Sequence, residues 1–569
     1  MEAPAVGGHS MDAAEQSNDA AKQRECATAA AEQWIAGGDG RGGLIAAFLG
    51  LDHICARCAM CLAGVKAPEC YVLPEEDLAS VLRTCLNKHS LPQPPEKGDA
   101  STGETGAPAC AVCLGILLGA TPELARKLTA KAWELGYAPE SIKLFMLSLA
   151  VPSAILIRQH LYCMHVRTLL KDSELPKAWK PLALKEAFQL AIAGSLSSLL
   201  GGARQEQTSA ADGCGRLRIE AEFRHEESAG MKELLLPGNH KKAVRGKPQR
   251  GERRGQMQDI ENTNAVTAEL VKISPETLFA KFPFPLSAAT TSPDLTVKVE
   301  RDSVFVGGSY CKYSRSVSQS PWNSAHGNVC DSVQTLVLKE VGPLFRADEA
   351  KFVGSGREDL DVRMLGEGRP FFLEFINSRT LPLCPHIPVS AASKSNTSAD
   401  AVMSGSEAAH AAAAARPPIW ADIEARVNAS TDLVRVIQLR PAERSYVDHI
   451  KGSSETKRKT YRALVWTANN PSNEDVERVN TTTNLLLHQK TPVRVLHRRS
   501  LATRERTVTY LKLQRLNEHF FLLDLETEAG TYVKEFVHGD MGRTQPSLAG
   551  LLQSDAADIL QLDVVAVQH

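Results

Sequence analysis

The sequence has no apolar run long enough to cross a membrane and almost no net charge. Its most apolar stretch, residues 144–157, is shorter than the roughly 20 residues that a membrane helix needs, and it contains Pro152. The formal net charge of the 569 residues is −1, so no overall positive field indicates nucleic-acid binding. Any RNA site must therefore come from local clusters of the 65 Lys and Arg residues, in a chain long enough for two or three domains.

The N terminus lacks the features of a targeting segment. Residues 1–45 are rich in Ala, Gly and Gln, and they contain neither the apolar core of a signal peptide nor an Arg-rich transit pattern. With few large apolar side chains, this segment cannot offset its ordering entropy, so we expect it to be disordered. We also expect a protein of the nucleus, the cytoplasm or both, although the Ala content leaves an organelle open.

The cysteines indicate a metal site. Thirteen of them, an odd number, favour thiols and metal ligands over a disulfide framework. Cys55 and Cys58 form one CxxC pair, and Cys110 and Cys113 form another. Two such turns can surround a tetrahedral zinc ion, and four thiolates would leave no open position, so the zinc would be structural. The pairs lie far apart in sequence, so unligated buried cysteines are the alternative, and Cys61 could replace Cys58.

Residues 46–295 read as a mixed accessory region. Helical spacing from Pro122 to Leu135 and a strand-like run from Leu144 predict a small α/β module. Within this region, residues 240–255 are rich in Lys, Arg and Gly. They predict a flexible basic loop that pairs with phosphates, a nuclear-localisation address or a solvated insertion.

From residue 296 onward the pattern changes to recurring strands. A low-complexity segment rich in Ala and Ser, residues 387–418, reads as a surface insertion. The strand pattern predicts a mixed, mainly antiparallel sheet with helices, an α+β fold. The predicted strands are 371–376, 433–439, 460–467, 493–499 and 520–525.

The stretch most indicative of a site is GREDLDVRMLGEGRPF, residues 356–371. Its carboxylates and arginines alternate between glycines, and the apolar run that follows predicts a buried strand. A charged loop held by a core strand can position a side chain against a substrate. On the charge pattern alone, a solvated loop of ion pairs explains the stretch at least as well.

This stretch resembles the catalytic motif of the archaeal and eukaryotic tRNA pseudouridine synthases that modify the T-loop. Further segments match that family in the same order along the chain. They are KYSR at 312–315, QSPW at 319–322, KTYRAL at 459–464, QKTPVRVLHRR at 489–499 and GTYVKEFVHGD at 530–540. The resemblance implies a synthase domain at 296–569, preceded by an accessory domain with a zinc site and a THUMP-like module that binds tRNA.

The resemblance also implies the reaction. Uridine would be isomerised to pseudouridine in the T-loop of tRNA, at position 55, with position 54 as an open second target. We expect a monomer that binds tRNA, no membrane and no small-molecule cofactor. The sequence has no glycine-rich methyltransferase loop, no ATP-binding loop and no zinc-deaminase spacing. The alternative is a noncatalytic RNA-binding or processing scaffold that keeps the synthase fold.

The chemistry needs a carboxylate near the anomeric carbon of a flipped nucleotide. The resemblance assigns Asp359 as this nucleophile. Asp361 is the rival, because both carboxylates would point to one side of an extended segment, and Glu358 is a lesser candidate. Lys534 would pair with Asp359 from the first turn of a helix capped by Thr531.

The remaining assignments concern the RNA. Tyr461 would stack on the uracil and assist loss of the C5 proton. Arg357 would fill the place of the flipped nucleotide or hold its phosphate. Basic residues of the matching segments would contact the tRNA backbone. These are Lys312, Arg315, Lys459, Lys490, Arg494, Arg498 and Arg499.

Overall fold

A computed structural model of the protein describes residues 13–37, 40–93, 110–170, 175–176, 179–206, 215–236, 262–322, 331–382, 418–453, 457–497 and 499–567. The chain divides into two compact units, Met1–Thr208 with Leu217–Glu300, and Ser209–Arg216 with Arg301–His569. A search of the described helices finds none with the length and apolar character of a membrane span. The basic segment 240–255 lies outside the described residues, as does the insertion 387–418 except for Pro418.

The first unit combines many helices with a small sheet. The helices are α1 (Ala13–Ala36), α2 (Arg41–Leu49), α3 (Ala56–Ala63), α4 (Pro68–Tyr71), α5 (Glu75–Lys88), α6 (Pro122–Glu134), α7 (Ala154–Leu169), α8 (Leu184–Leu199), α9 (Gly230–Leu235), α10 (Asn262–Lys272) and α11 (Pro275–Lys281). The strands are β1 (Leu144–Ala150), β2 (Arg204–Gln205), β3 (Leu217–Arg224) and β4 (Asp294–Arg301). Their order is β2-β1-β3-β4, and β1 is parallel to both β2 and β3. The predicted α/β character is therefore present, and the predicted boundary between residues 295 and 296 cuts through β4.

The predicted disorder of residues 1–45 is wrong for the described part of that segment. Helix α1 buries Ala27, Ala31 and Ile35, which recur every four residues and so lie on one face. That face packs against α4 and α5. Alanine is the best helix former and loses no side-chain entropy on folding, so a helix with small side chains needs little burial to become ordered. The scarcity of large apolar residues in this segment does not reveal this contribution.

The second unit is built on one large sheet. Its helices are α12 (Val333–Val341), α13 (Pro418–Ser430), α14 (Arg444–Ser453), α15 (Asn473–Thr481), α16 (Val533–His538) and α17 (Leu548–Leu551). Its strands are β5 (Val304–Lys312), β6 (Glu349–Gly354), β7 (Val362–Ile376), β8 (Val434–Ala442), β9 (Lys459–Thr467), β10 (Thr483–Lys490), β11 (Thr503–Arg515), β12 (Phe520–Thr527), β13 (Thr544–Gln545) and β14 (Ala557–Val567).

The sheet brings distant parts of the sequence together. Its order is β13-β10-β11-β12-β9-β14-β7-β5-β8, with β6 paired to β7. Among the described pairs, β14 with β7 is parallel and the others are antiparallel, so the predicted mixed, mainly antiparallel α+β fold is confirmed. Val564 of β14 pairs with Met364 of β7 on one side and Tyr461 of β9 on the other. Strand β14 therefore separates Tyr461 on β9 from the start of β7, which follows the charged loop.

The predicted strand at 493–499 is wrong. Strand β10 ends at Lys490, and Val493–Val495 form one turn of 3-10 helix. Pro492 precedes this turn with φ −56°, and the Val495 N–H donates back to its carbonyl oxygen. Because proline fixes φ and donates no hydrogen bond, it ends the ladder and begins a turn.

Candidate active site

The charged loop, residues 356–361, is folded and not extended. The Val362 N–H donates to the Asp359 carbonyl oxygen at 3.1 Å, which closes a turn just before β7. The segment is therefore not extended, yet Asp359 and Asp361 both face Lys534, at 3.7 and 2.7 Å. The nearest cation to Asp359 is Arg494, and the nearest to Asp361 is Lys534.

Beneath the loop, Glu358 forms a buried ion pair. The Arg369 Nε donates to Glu358 Oε2 at 2.8 Å, and both side chains are 1% exposed. The Tyr310 hydroxyl lies 2.9 and 3.0 Å from the two carboxylate oxygens, and Gln319 Nε2 donates to the Gly356 carbonyl oxygen. Through these buried partners, Glu358 anchors the loop to the interior of the protein. This environment argues against Glu358, the lesser candidate, as the nucleophile.

Lys312 supports the loop and does not face RNA. It is 0% exposed, and its ammonium group donates to the carbonyl oxygens of Val317, Asp359 and Leu360 at 2.9, 3.1 and 2.9 Å. Burial holds the pKa of Lys312 below its ordinary value, and the charges of Glu358 and Asp361 offset only part of this effect. The prediction that Lys312 contacts tRNA is wrong, because a fully buried ammonium group cannot reach a phosphate.

Arg315 is only partly exposed and is bonded to other protein groups. Its guanidinium group donates to the carbonyl oxygens of Asp361 and Leu562 and to Asp563 Oδ1, the last at 2.6 Å. Asp563 accepts two further bonds from Arg363. Arg315 thus fastens the end of the loop to β14, which does not support its predicted contact with tRNA.

Two cations reach the candidate nucleophile. Asp359 has a side chain 40% exposed, and its Oδ2 lies 3.2 Å from Arg494 and 3.7 Å from Lys534. The Lys534 ammonium group makes shorter bonds to the two oxygens of Asp361, at 2.9 and 2.7 Å. The predicted partner of Asp359 is therefore nearby but is bonded more closely to the rival carboxylate.

Lys534 lies in the first turn of its helix, as the sequence predicts, but the cap differs. Helix α16 begins at Val533 with Tyr532 at the N-cap, and the Thr531 hydroxyl donates to the Glu528 carbonyl oxygen. Burial raises the pKa of Asp361, but the hydrogen bond and charge of Lys534 outweigh it and hold this pKa below its ordinary value. Asp361 and Lys534 therefore form an ion pair at the edge of the site, with the Asp361 side chain 62% exposed.

Arg494, predicted to contact the tRNA backbone, has a side chain 40% exposed that lies between the carboxylates of Asp359 and Glu535. Its Nε donates to Glu535 at 2.7 Å, and Glu535 was not singled out in the sequence. Arg494 is separated from Asp359 by more than a hundred residues of sequence, so no local spacing indicates this contact. The structure alone brings the three side chains together.

Tyr461 faces the same region from β9. Burial raises the pKa of its phenol to about 12, and the nearby charge of Asp359 acts in the same direction. The phenol is therefore protonated at neutral pH. An aromatic ring close to the carboxylate is suitably placed to stack on a base.

The other predicted RNA contacts differ in exposure. Lys459 is largely buried, and burial with the charge of Arg369 lowers its pKa to about 8. Lys490 and Arg499 are exposed. Arg357 is exposed as well, and it makes no hydrogen bond or ion pair to another described residue. Arg498 lies outside the described residues.

In the first unit, the four cysteines of the two CxxC pairs meet. The Sγ atoms of Cys55, Cys58, Cys110 and Cys113 all lie within 4.8 Å of one another and are buried. The Cys55 and Cys113 sulfurs are 3.9 Å apart, close to the roughly 3.8 Å edge of a tetrahedron with zinc–sulfur bonds of about 2.3 Å.

The surroundings also fit a metal ion. The Cys58 N–H donates to the Cys55 sulfur, and the Cys55 N–H donates to the Cys110 sulfur, both at 3.4 Å. These N–H groups would stabilise thiolates, while burial raises the pKa of the Cys55 and Cys58 thiols. Cys61 lies outside the cluster and donates to the Leu182 carbonyl oxygen, so it does not replace Cys58.

Two family models together match most of the chain. A family model described as Pus10, C-terminal, matches residues 305–409 and 406–568, and one described as Eukaryotic Pus10, N-terminal, matches residues 110–299. A solved Cbf5-Nop10-Gar1 complex aligns over 46% of this chain and 48% of that chain, at 13% identity and a TM-score of 0.24. A likeness at that level carries no argument here.

Curated relatives match over nearly their full lengths. The tRNA pseudouridine synthase Pus10 of Xenopus laevis is 32% identical, over 90% of this chain and 94% of its own. The protein of the same name from Mus musculus is 31% identical, over 92% and 96%. The Homo sapiens protein is 30% identical, over 90% and 94%. The chain therefore belongs to the Pus10 family, whose relatives above are named tRNA pseudouridine synthases.

Proposed function

We propose that this protein converts uridine to pseudouridine in the T-loop of tRNA, with Asp359 as the nucleophile. The enzyme class, a tRNA pseudouridine synthase and hence an isomerase, follows from the family. The observation that most supports this nucleophile is that Arg494 and Lys534 both lie within ion-pair distance of Asp359. Asp361 is the weaker candidate, because its side chain is 62% exposed and already bonded to Lys534.

The reaction is an exchange of bonds at one sugar carbon. An Asp359 oxygen attacks C1′ of a flipped uridine, the bond from C1′ to N1 breaks, and the uracil leaves with the electron pair. After the base turns, C5 bonds to C1′ and the bond to Asp359 breaks. The proton then lost from C5 balances the proton that N1 gains, so no oxidant or other co-reactant is consumed.

The surrounding residues have separate tasks in this proposal. Tyr461 stacks on the uracil and keeps it beside the sugar while it turns. Its hydroxyl, protonated at neutral pH, can exchange a proton with the base. The exposed side chains of Arg357, Lys490 and Arg499 bind the tRNA backbone by charge.

The first unit is proposed to hold a structural zinc ion on Cys55, Cys58, Cys110 and Cys113. A closed set of four thiolates offers no position for a substrate, so the metal would stabilise the fold and take no part in the isomerisation. The THUMP-like character of this unit, the monomeric state and a nuclear or cytoplasmic location stay predictions.

The test uses purified full-length protein and tRNA transcripts without added cofactor. We expect pseudouridine in a wild-type transcript and its loss when the target uridine of the T-loop is replaced by cytidine, with positions 54 and 55 replaced separately. Nucleoside mass spectrometry and position-specific mapping measure the product. Tight binding of the transcript without any product would instead support a noncatalytic scaffold.

A further inference from the structure

We infer that Arg494 is the cation that positions the Asp359 carboxylate for attack, and that the buried carboxylate of Glu535 holds Arg494 in place. This inference rests on the proposed function, in which Asp359 attacks C1′. It assigns to Arg494 a task for which sequence reasoning had selected Lys534. It makes Arg494 and Glu535 positioning residues, because both act on the substrate through Asp359.

The distances favour Arg494 over Lys534. The Arg494 Nη1 lies 3.2 Å from Asp359 Oδ2 and 3.5 Å from Oδ1, so it reaches both oxygens of this carboxylate. Lys534 lies 3.7 Å from one Asp359 oxygen and donates to both oxygens of Asp361. A lysine is a single point of charge, so its short bonds to Asp361 leave a weaker hold on Asp359.

Glu535 fixes the opposite side of the guanidinium group. Its side chain is 2% exposed, and its Oε1 accepts from Arg494 Nε at 2.7 Å. Within the described residues its other oxygen has no hydrogen-bond partner. A buried carboxylate depends strongly on its partner, because the loss of that partner leaves an uncompensated charge away from water. Glu535 therefore restrains Arg494 far more than an exposed carboxylate could.

The backbone that carries Arg494 is anchored as well. The Val493 N–H donates to Asp540 Oδ2 at 3.2 Å, and the ring of Tyr532 lies 5.9 Å from the guanidinium carbon. Burial lowers the pKa of Arg494, but the hydrogen bond of Glu535 and the charges of Glu535 and Asp359 raise it by more. The guanidinium group thus stays charged and aimed at Asp359 from a fixed turn.

A phosphate contact is the competing role for Arg494. Its charge already faces two carboxylates, so little of it is left to attract the tRNA backbone. A positioning arginine should change the rate of the chemical step, whereas a phosphate contact should change tRNA affinity. Loss of Arg494 should therefore lower the rate with little change in tRNA affinity if it positions Asp359, and should weaken tRNA affinity with little change in the rate if it binds a phosphate.

The experiment measures single-turnover pseudouridine formation at saturating tRNA, together with the Kd for tRNA. We expect Arg494→Ala to lower the single-turnover rate by about 10²-fold while the Kd stays within about twofold of wild type. Arg494→Lys should recover part of the rate. Millimolar guanidinium ion should raise the rate of Arg494→Ala and leave wild type unchanged, a readout that general loss of structure would not produce.

Two further variants separate positioning from folding. Arg494→Ala leaves Glu535 buried without its cation, so Arg494→Ala/Glu535→Gln should regain thermal stability yet remain slow. Arg444→Gln is the matched control, because Arg444 forms an exposed ion pair with Asp448 on α14. Its single-turnover rate and Kd should equal those of wild type.

The outcomes are distinguishable. A single-turnover rate of Arg494→Ala within about twofold of wild type, with a Kd about tenfold weaker, would overturn this inference alone and assign Arg494 to a phosphate. A wild-type protein that binds tRNA but forms no pseudouridine would overturn the proposed function and this inference with it.

Discussion

At the residue scale, the backbone of the candidate nucleophile is held by contacts within the protein. Lys312 and Arg315 donate to carbonyl oxygens of residues 359–361, and the Glu358–Arg369 pair supports the loop from below. These contacts fix the backbone on which Asp359 sits. Preorganisation of this kind matters because a small displacement of a reacting group lowers the rate steeply.

Lys312 offers a direct test of this support. Lys312→Met removes an ammonium group with three carbonyl partners, so we expect the free energy of unfolding to fall by about 1–3 kcal/mol. We expect the single-turnover rate to fall by about 10²-fold, because the loop loses two of its bonds. Urea unfolding and pseudouridine formation at saturating tRNA measure these effects. A variant with the wild-type rate but weaker tRNA binding would restore Lys312 as an RNA contact.

Lys459 predicts a pH dependence of stability. Its pKa is about 8 in the folded protein, below the ordinary 10.5. Below pH 8 the ammonium group is charged in both states, and its burial costs about 3 kcal/mol. Between pH 8 and pH 10.5 the unfolded chain keeps a proton on Lys459 that the folded protein has released, so the free energy of unfolding rises with pH. Above pH 10.5 Lys459 is neutral in both states, and its burial no longer carries the cost of a buried charge.

Lys459→Met should therefore be more stable than wild type at pH 7, by up to about 3 kcal/mol, and this difference should vanish as the pH approaches 10.5. Chemical unfolding at several pH values measures it. Lys512→Met, on the exposed face of β11, is the matched control and should show a constant difference. Parallel curves for wild type and Lys459→Met would contradict the burial argument.

At the element scale, the sequence predicted what depends on local periodicity. Strand β12 and the second half of β9 alternate buried and partly buried side chains, and the predicted positions of both strands are close to the observed ones. Helix α1 was missed because its buried face is made mostly of alanines, and the turn at 493–495 was missed because apolar residues follow Pro492. Helix α1 is ordered by packing of this face against α4 and α5, whereas the turn follows from the fixed φ and missing N–H of Pro492.

The pairing of two CxxC turns is a further prediction at this scale. We expect one zinc ion per chain in the wild-type protein and its loss in Cys110→Ser, together with lower thermal stability, because the four thiolates close one tetrahedron. Metal analysis and thermal unfolding measure both effects. Cys61→Ser is the control, since Cys61 lies outside the cluster. Equal zinc content in the two variants would contradict the assignment.

At the scale of the whole molecule, the sheet explains why matching segments lie so far apart in sequence. The segments at 312–315, 356–371 and 459–464 begin at or run along strands β5, β7 and β9, which lie close together in one sheet. The segments selected by the resemblance therefore lie near one another in the fold. It could not identify the contacts between them, such as Arg494 with Asp359, because these depend on side-chain geometry across the sheet.

The most direct test of the central claim compares three proteins on one T-loop transcript. Single-turnover pseudouridine formation is measured for wild type, Asp359→Asn and Asp361→Asn, with the tRNA Kd measured alongside. We predict product from wild type, none from Asp359→Asn despite normal binding, and a reduced but measurable rate from Asp361→Asn, since the Asp361 carboxylate holds Lys534 and does not attack the sugar. Full activity in Asp359→Asn with none in Asp361→Asn would contradict the account and move the nucleophile to Asp361.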